Sequence, residues 1–200
     1  MDDPSAKASA AAGAAADERA RSLLERVARG DDEGMGELYR LLEQPVYGFA
    51  LRILNHPADA SDVLNEVMLE VWKGAARFEG RSRVRTWALG IARHRALDRL
   101  RRRGREPDEE AHPELPDEAA RSPLDLAEGV ERAEQVRRCL DELSSAQSEV
   151  VYLAFFEDLP YPEIAKLIER PLGTVKTRVM HAKRALQRCL AALGGRGDGE

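Results

Sequence analysis

Residues 106–131 of this 200-residue chain carry ten acidic side chains and a single base, Arg121, together with Pro107, Pro113, Pro116 and Pro123. Proline, acids and small residues without apolar periodicity bury too little surface to offset the entropy lost on ordering. Such a stretch separates folding units instead of extending one core. A chain of this length holds one medium domain or two small ones, and the acidic segment selects two. The expected organisation has five parts: an Ala-rich disordered N-terminus over 1–17, a first domain over 18–104, an acidic flexible linker over 105–130, a second domain over 131–192 and a disordered tail over 193–200. No internal repeat is visible.

Both domains read as helical, so the expected fold class is all-α: two small helical domains joined by the linker. Aromatic residues make up only 5% of the chain against 43% hydrophobic, which suits helical cores of Leu, Val, Ile and Ala better than a β-sandwich. In SDVLNEVMLEVWK, Val63, Leu64, Val67, Met68, Val71 and Trp72 recur at three- and four-residue spacing and form one apolar stripe, which assigns Trp72 to the core. Asp59 or Ser61 is placed to cap this helix, and Asp62, Glu66 and Glu70 share its opposite face. A further helix is expected over 86–103, and helical spacing also runs over 20–29 and 33–54. The second domain reads as four helices. The second of them is capped by Ser144 or Ser145. The short third, PEIAKLIE, has Pro160 and Pro162 at its start, so Asp158 is its candidate cap. The last follows the turn 170–173, with Val175, Val179, Ala182, Leu186 and Leu190 on its apolar side.

Charge is segregated. The net charge is −5, yet residues 77–105 hold eleven Arg against Glu79 and Asp98, and residues 170–188 hold six Lys or Arg and no acid. A short helix, a tight turn and a second helix with a basic outer face make a helix-turn-helix, which lays its second helix in the DNA major groove. A basic helix gains affinity there by releasing counterions. The competing reading is the solvated face of an ordinary helical bundle.

No apolar run approaches the length of a membrane helix, and the N-terminus lacks the apolar core of a secretory signal. Cys139 and Cys189 have no CxxC or His partner at metal spacing, so both are expected to be core residues of a cytoplasmic protein, with a redox pair as the alternative. No P-loop, HExxH or Ser/His/Asp grouping is present, and His56, His94, His112 and His181 are scattered. The expectation is therefore a non-enzyme without cofactor or metal. A free-standing dimeric helix-turn-helix regulator would account for residues 160–190, but not for the acidic stripe and basic loop over 59–103. A nuclease or recombinase would need clustered carboxylates for metal ions.

GTVKTRVMHAKRAL resembles the recognition helix of the extracytoplasmic-function sigma factors, the small two-domain group of the sigma-70 family. LSSAQSEVVYLAFFEDLPYPEIAKLIERPLG is similar to the rest of sigma region 4, and DASDVLNEVMLEVWKGAARFEGRSRVRTWALGIARHRALDRLRRR resembles sigma region 2. The resemblance implies a sigma factor that binds core RNA polymerase through the β′ clamp helices and the β flap, reads promoter DNA, and is held by an anti-sigma factor, with no membrane insertion. It implies polymerase contacts at Asp59, Asp62, Asn65, Glu66 and Glu70. For the minus-10 element the candidates are Phe78, Arg81, Arg83, Arg85, Trp87 and Arg95, with Arg101, Arg102 and Arg103 as a phosphate clamp; Trp87 also reads as a core residue. It places Lys176, Thr177, Met180 and His181 at minus-35 base edges and Thr174, Arg178, Lys183 and Arg184 at phosphates. The family commonly has Gln where Asn65 stands, and larger side chains at Met180 and His181.

Overall fold

The computed structural model describes residues 4–103 and 126–194, and they form α-helices with no strand among them. They divide into two compact units: residues up to Ala50 together with Pro57–Arg99, and Leu51–His56 together with the residues from Leu100 onward. The linker expected over 105–130 lies outside the described residues except for its end. There Leu126 already opens the first helix of the second unit, five residues earlier than the expected boundary at 131.

The first unit contains α1 (Pro4–Ala28), most of α2 (Asp32–Leu54), α3 (Pro57–Gly74), a 3-10 turn (Ala75–Arg77) and most of α4 (Val84–Arg102). Helix α1 takes in most of the 1–17 stretch expected to be disordered, in keeping with the high helix propensity of Ala. Gly30, at φ +85°, ends the turn after α1, where a residue with a Cβ would be strained. Asp31 then caps α2 by accepting a hydrogen bond from the Gly34 amide at 3.0 Å. The core is aliphatic apart from Phe49: Leu23, Leu24 and Val27 of α1, Leu38, Leu42, Val46 and Phe49 of α2, Val63, Val67 and Val71 of α3, and Ala88, Leu89, Ala92 and Ala96 of α4 are all buried. Each large apolar side chain buried this way contributes about 1.5–3 kcal/mol.

Two expectations about α3 need correction. The helix starts at Pro57, whose missing amide proton suits a first turn, so neither Asp59 nor Ser61 is its cap. Trp72 is not core: it is 51% exposed. The buried set 63, 64, 67, 68, 71 closes the apolar face, and residue 72 falls one step beyond it.

The second unit contains α5 (Leu126–Asp141), α6 (Ser145–Val151) running into a π turn (Tyr152–Phe156), α7 (Tyr161–Leu167) and α8 (Leu172–Gly194). Ser144 is the N-cap of α6, and Gln147 reaches back to accept from its amide at 3.2 Å. Helix α7 has Pro160 at its N-cap and no side-chain cap. Asp158 does not serve there; it sits in the turn after α6 at φ +49°. Val175, Val179 and Ala182 of α8 are buried as the periodicity requires, and Ala182 packs with Leu143 and Val151, while Leu190 is 36% exposed. Arg52 is buried in this unit: it donates to the Ser148 hydroxyl at 3.0 Å and lies 5.2 Å from the Tyr152 ring centroid. Burial pushes its guanidinium below the usual arginine range.

The cysteines are also corrected. Cys139 of α5 and Cys189 of α8 form a disulfide, with Cα atoms 5.6 Å apart across a sequence separation of 50. Packing of α5 against α8 brings together two positions that no local motif connects.

Two measurements follow from this packing. The chain-entropy model assigns a cross-link of this span about 4 kcal/mol. Reduction, or Cys139→Ser, should therefore lower the thermal midpoint of the second unit and leave the first unchanged. The Asp31 carboxyl is held below its usual range by the Gly34 amide first and the Arg26 guanidinium second. Its stabilisation is full above the ordinary Asp range and is lost as pH falls through the lowered folded value. The gap in melting temperature between wild type and Asp31→Ala should be widest near neutral pH and close on acidification.

Candidate nucleic-acid and docking surfaces

The acidic side of α3 faces α4. Arg99 donates to Asp62 at 2.9 Å and to Glu66 at 2.8 Å, and lies 3.6 Å from the buried Asp59 carboxylate. Arg95 donates to Glu70 and sits 4.0 Å from Glu66. As the α4 positions rise from 95 to 99, their α3 partners fall from 70 to 62, so the two helices run antiparallel with their charges in register. Partly exposed ion pairs are individually weak, but here two planar guanidiniums bridge four carboxylates and restrict both helices.

This arrangement divides the five residues expected to meet the polymerase. Asp59 is 5% exposed and lies beneath Arg99. Glu66 and Glu70 are half-buried and engaged with α4. Asp62 and Asn65 are exposed, and Leu69 and Trp72 continue the same line at 45% and 51% exposure. Positions 62, 65, 69 and 72 share one helical face. Leu69, Trp72 and Arg99 are the residues that sequence reasoning missed. The mirrored spacing of 62, 66 and 70 against 95 and 99 was the available signal for the pairing.

Of the residues expected at the minus-10 element, five gather around the segment leading into α4. Phe78 and Trp87 pack with ring centroids 5.0 Å apart. Gly74 permits this, since a Cβ there would lie 3.0 Å from the Trp87 ring. The two aromatics border a cavity of about 510 Å³ that also meets Arg77, Arg81, Ser82 and Lys73. Arg81 is exposed beside Glu79 at 2.5 Å, Arg83 is half-buried and Arg85 is exposed. Trp87 is neither core nor free, being half-buried on the cavity wall. The sixth residue, Arg95, belongs to the ion-pair lattice with α3 instead. Arg101, Arg102 and Arg103 are exposed at the end of α4.

In the second unit α7 and α8 are joined by a turn in which Glu169 takes φ +55° and Pro171 closes the first amides of α8. Lys176, Thr177, Met180, His181 and Arg184 are exposed on α8, opposite Val175, Val179 and Ala182. The exposed Thr177 hydroxyl donates to the Gly173 carbonyl at 2.9 Å. Thr174 is half-buried at the start of the helix. Arg178 turns inward to Glu149, 3.8 Å away and itself buried. Lys183 lies over the exposed Phe155 ring at 5.4 Å. His181 and Arg184 border a cavity of about 560 Å³ with Gln147 and Arg188. No group of three or more His, Cys, Asp or Glu able to hold a metal occurs among the described residues.

A family model for sigma-70 region 2 matches residues 38–106, and one for sigma-70 region 4 matches residues 133–186. ECF RNA polymerase sigma factor SigK of Mycobacterium tuberculosis (strain ATCC 25618 / H37Rv) is 31% identical over 172 residues, covering 84% of this chain and 92% of the relative. SigK of Mycobacterium ulcerans is 29% identical over 180 residues, covering 86% and 93%. Among solved structures, the sigma factor RpoE bound to the anti-sigma factor NepR from Bartonella quintana superposes with a TM-score of 0.60 at 23% identity, over 78% of this chain and 96% of that one. CnrH, in complex with the cytosolic domain of CnrY, gives 0.60 at 21% identity, over 87% and 98%. At these identities the structural likeness concerns the fold.

The ion-pair lattice makes a direct prediction. Arg99→Ala leaves Asp59, Asp62 and Glu66 without their shared cation and should destabilise the first unit by about 2 kcal/mol, whereas Arg93→Ala should cost less. Denaturant unfolding followed by circular dichroism reads the difference.

Proposed function

Since the chain belongs to the extracytoplasmic-function RNA polymerase sigma factors of the sigma-70 family, we propose that its exposed surfaces divide the work of promoter-specific transcription initiation as follows. The protein binds core RNA polymerase, directs it to promoters by recognising minus-10 and minus-35 elements, and is controlled by an anti-sigma factor. The solved complexes of RpoE with NepR and of CnrH with CnrY support that control.

The observation that carries the DNA reading is the two-sided α8. Lys176, Thr177, Met180 and His181 form an exposed face opposite the buried Val175, Val179 and Ala182. They read minus-35 base edges: Lys176 as a donor to guanine acceptors, Met180 against a thymine methyl. Thr174 and Arg184 hold phosphates, and Lys183 does so from its seat on Phe155. Arg178 supports the helix from inside through Glu149. In the first unit, Phe78 and Trp87 flank a pocket for an unstacked minus-10 base. Arg81, Arg83 and Arg85 supply positive charge for the freed strand, and Arg101–Arg103 clamp phosphate.

Polymerase docking uses the outward line of α3. Asp62 and Asn65 give charge and hydrogen bonds to the β′ clamp helices, and Leu69 and Trp72 give the buried centre that carries most of the affinity in protein interfaces. Asp59, Glu66 and Glu70 act behind this line by fixing α4. The second unit meets the β flap. Catalysis belongs to the polymerase, so the chain needs no chemistry or cofactor of its own. A partner of the polymerase acts in the cytoplasm, and no helix of the described residues is long and apolar enough to cross a membrane.

Co-elution with core polymerase tests the docking assignment. Trp72→Ala should weaken binding about thirtyfold with an unchanged melting temperature, and Asp62→Arg should do likewise. Lys176→Ala and His181→Ala should weaken minus-35 recognition while leaving polymerase binding intact, and Arg184→Ala should lower the salt slope of promoter binding by about one unit. A chain that shifts duplex DNA alone but never binds polymerase would instead be a free-standing regulator.

A further inference from the structure

Helix α4 begins at Val84 without local support. No acid lies in its first turn, and Arg83 precedes it where a Ser, Thr, Asp or Asn would cap. The nearby Ser82 hydroxyl is spent on the Arg83 carbonyl at 3.3 Å. The missing cap comes from a residue 67 positions away: Asp17 of α1 accepts a hydrogen bond from the Val84 amide at 3.2 Å through Oδ1. Its other oxygen accepts from Arg21 Nε at 3.1 Å, and the carboxylate is only 16% exposed. Arg21 in turn donates to the Ser82 carbonyl at 3.5 Å. Its guanidinium also lies 3.4 Å from where a Cβ on Gly80 would stand, and Gly80 holds φ +69°. One pair on α1 thus holds the 78–84 loop at two points, Ser82 and Val84, and packs where Gly80 leaves room for it. Both Asp17 oxygens are used, so the pair holds the loop and does not recognise a ligand. It lies outside residues 38–106, where the region 2 model matches.

We propose that Asp17 and Arg21 are positioning residues for minus-10 opening: the pair braces the loop and the start of α4 so that the cavity bordered by Phe78 and Trp87 is formed before a base enters it. Ser82 connects the two parts, since its carbonyl is held by Arg21 and the residue itself borders that cavity. Preorganisation removes the ordering cost from the opening step, so the brace acts on strand separation and leaves initial promoter binding alone. This rests on the minus-10 reading of the loop given above.

The test uses holoenzyme assembled from the full chain and bacterial core RNA polymerase, on a promoter selected in vitro from a randomised library by the wild type. Opening is followed by 2-aminopurine fluorescence in the minus-10 region, and closed-complex affinity is measured separately. Asp17→Ala should slow opening about tenfold, the size of one lost charge-assisted hydrogen bond, with closed-complex affinity within about twofold of wild type. Asp17→Asn, which keeps an acceptor for Val84, should fall between. A pre-melted promoter should restore both variants.

Two results would overturn the brace itself. One is wild-type opening by Asp17→Ala while the loop variant Arg81→Ala/Arg83→Ala opens slowly. The other is a defect that pre-melting does not restore, or that comes with equal loss of polymerase affinity, which would mark a general folding role. If the loop variant itself opens normally, the minus-10 reading fails and the proposal falls with it.

Discussion

The pairing of Arg95 and Arg99 with the carboxylates of α3 is the contact on which the first unit turns. Without it, α3 would present four like charges on one face and α4 would bring its arginines into an apolar bundle. Together they neutralise each other at the junction and set the rotation of both helices. The rotation of α3 sends Leu69 and Trp72 outward. The rotation of α4 carries Trp87 to Phe78. The surfaces proposed for docking and for strand capture therefore share one set of ion pairs. Burying such charges is costly unless they are paired, and Arg99 is a cation shared by three acids at once.

The overall charge of −5 misleads because its parts lie on surfaces with different tasks. The acidic segment before Leu126 and the stripe on α3 offset the arginines of α4 and the basic face of α8. Some bases that look available in sequence are used internally: Arg95 and Arg99 on α3, Arg178 on Glu149, and Arg52 beneath the Tyr152 ring. The cations left outward are therefore fewer than a count over the sequence suggests, a pattern that suits the proposed reading of DNA by register over bulk attraction.

Most of the helices were legible in sequence because their apolar spacing reports burial directly. Val63, Val67 and Val71 on α3, and Val175, Val179 and Ala182 on α8, are the clearest cases. What stayed hidden depends on contacts between distant segments. Trp72 is apolar and adjoins the stripe, and only the rotation fixed by α4 shows that it points out. The capping of α4 by Asp17 spans most of the first unit, and the Cys139–Cys189 link spans most of the second. Asp158 looked like a cap because Pro160 cannot supply an oxygen, yet the tight turn before α7 leaves that amide end without a side-chain cap. Of the minus-35 candidates, the exposed set was readable from the helical wheel, whereas the inward turn of Arg178 required knowing where Glu149 lies.

The disulfide has a mechanical meaning. Cys139 stands near the end of α5, the helix that follows the acidic tether, and Cys189 near the end of α8. Every residue of the helix-turn-helix lies between them, inside a closed covalent ring. A pull applied between the tether and the C-terminal end passes from α5 to α8 through the sulfur bridge. The part of α8 proposed to read DNA lies inside that ring and carries no tension, so a load applied through α5 shifts the module as a body and does not unravel it.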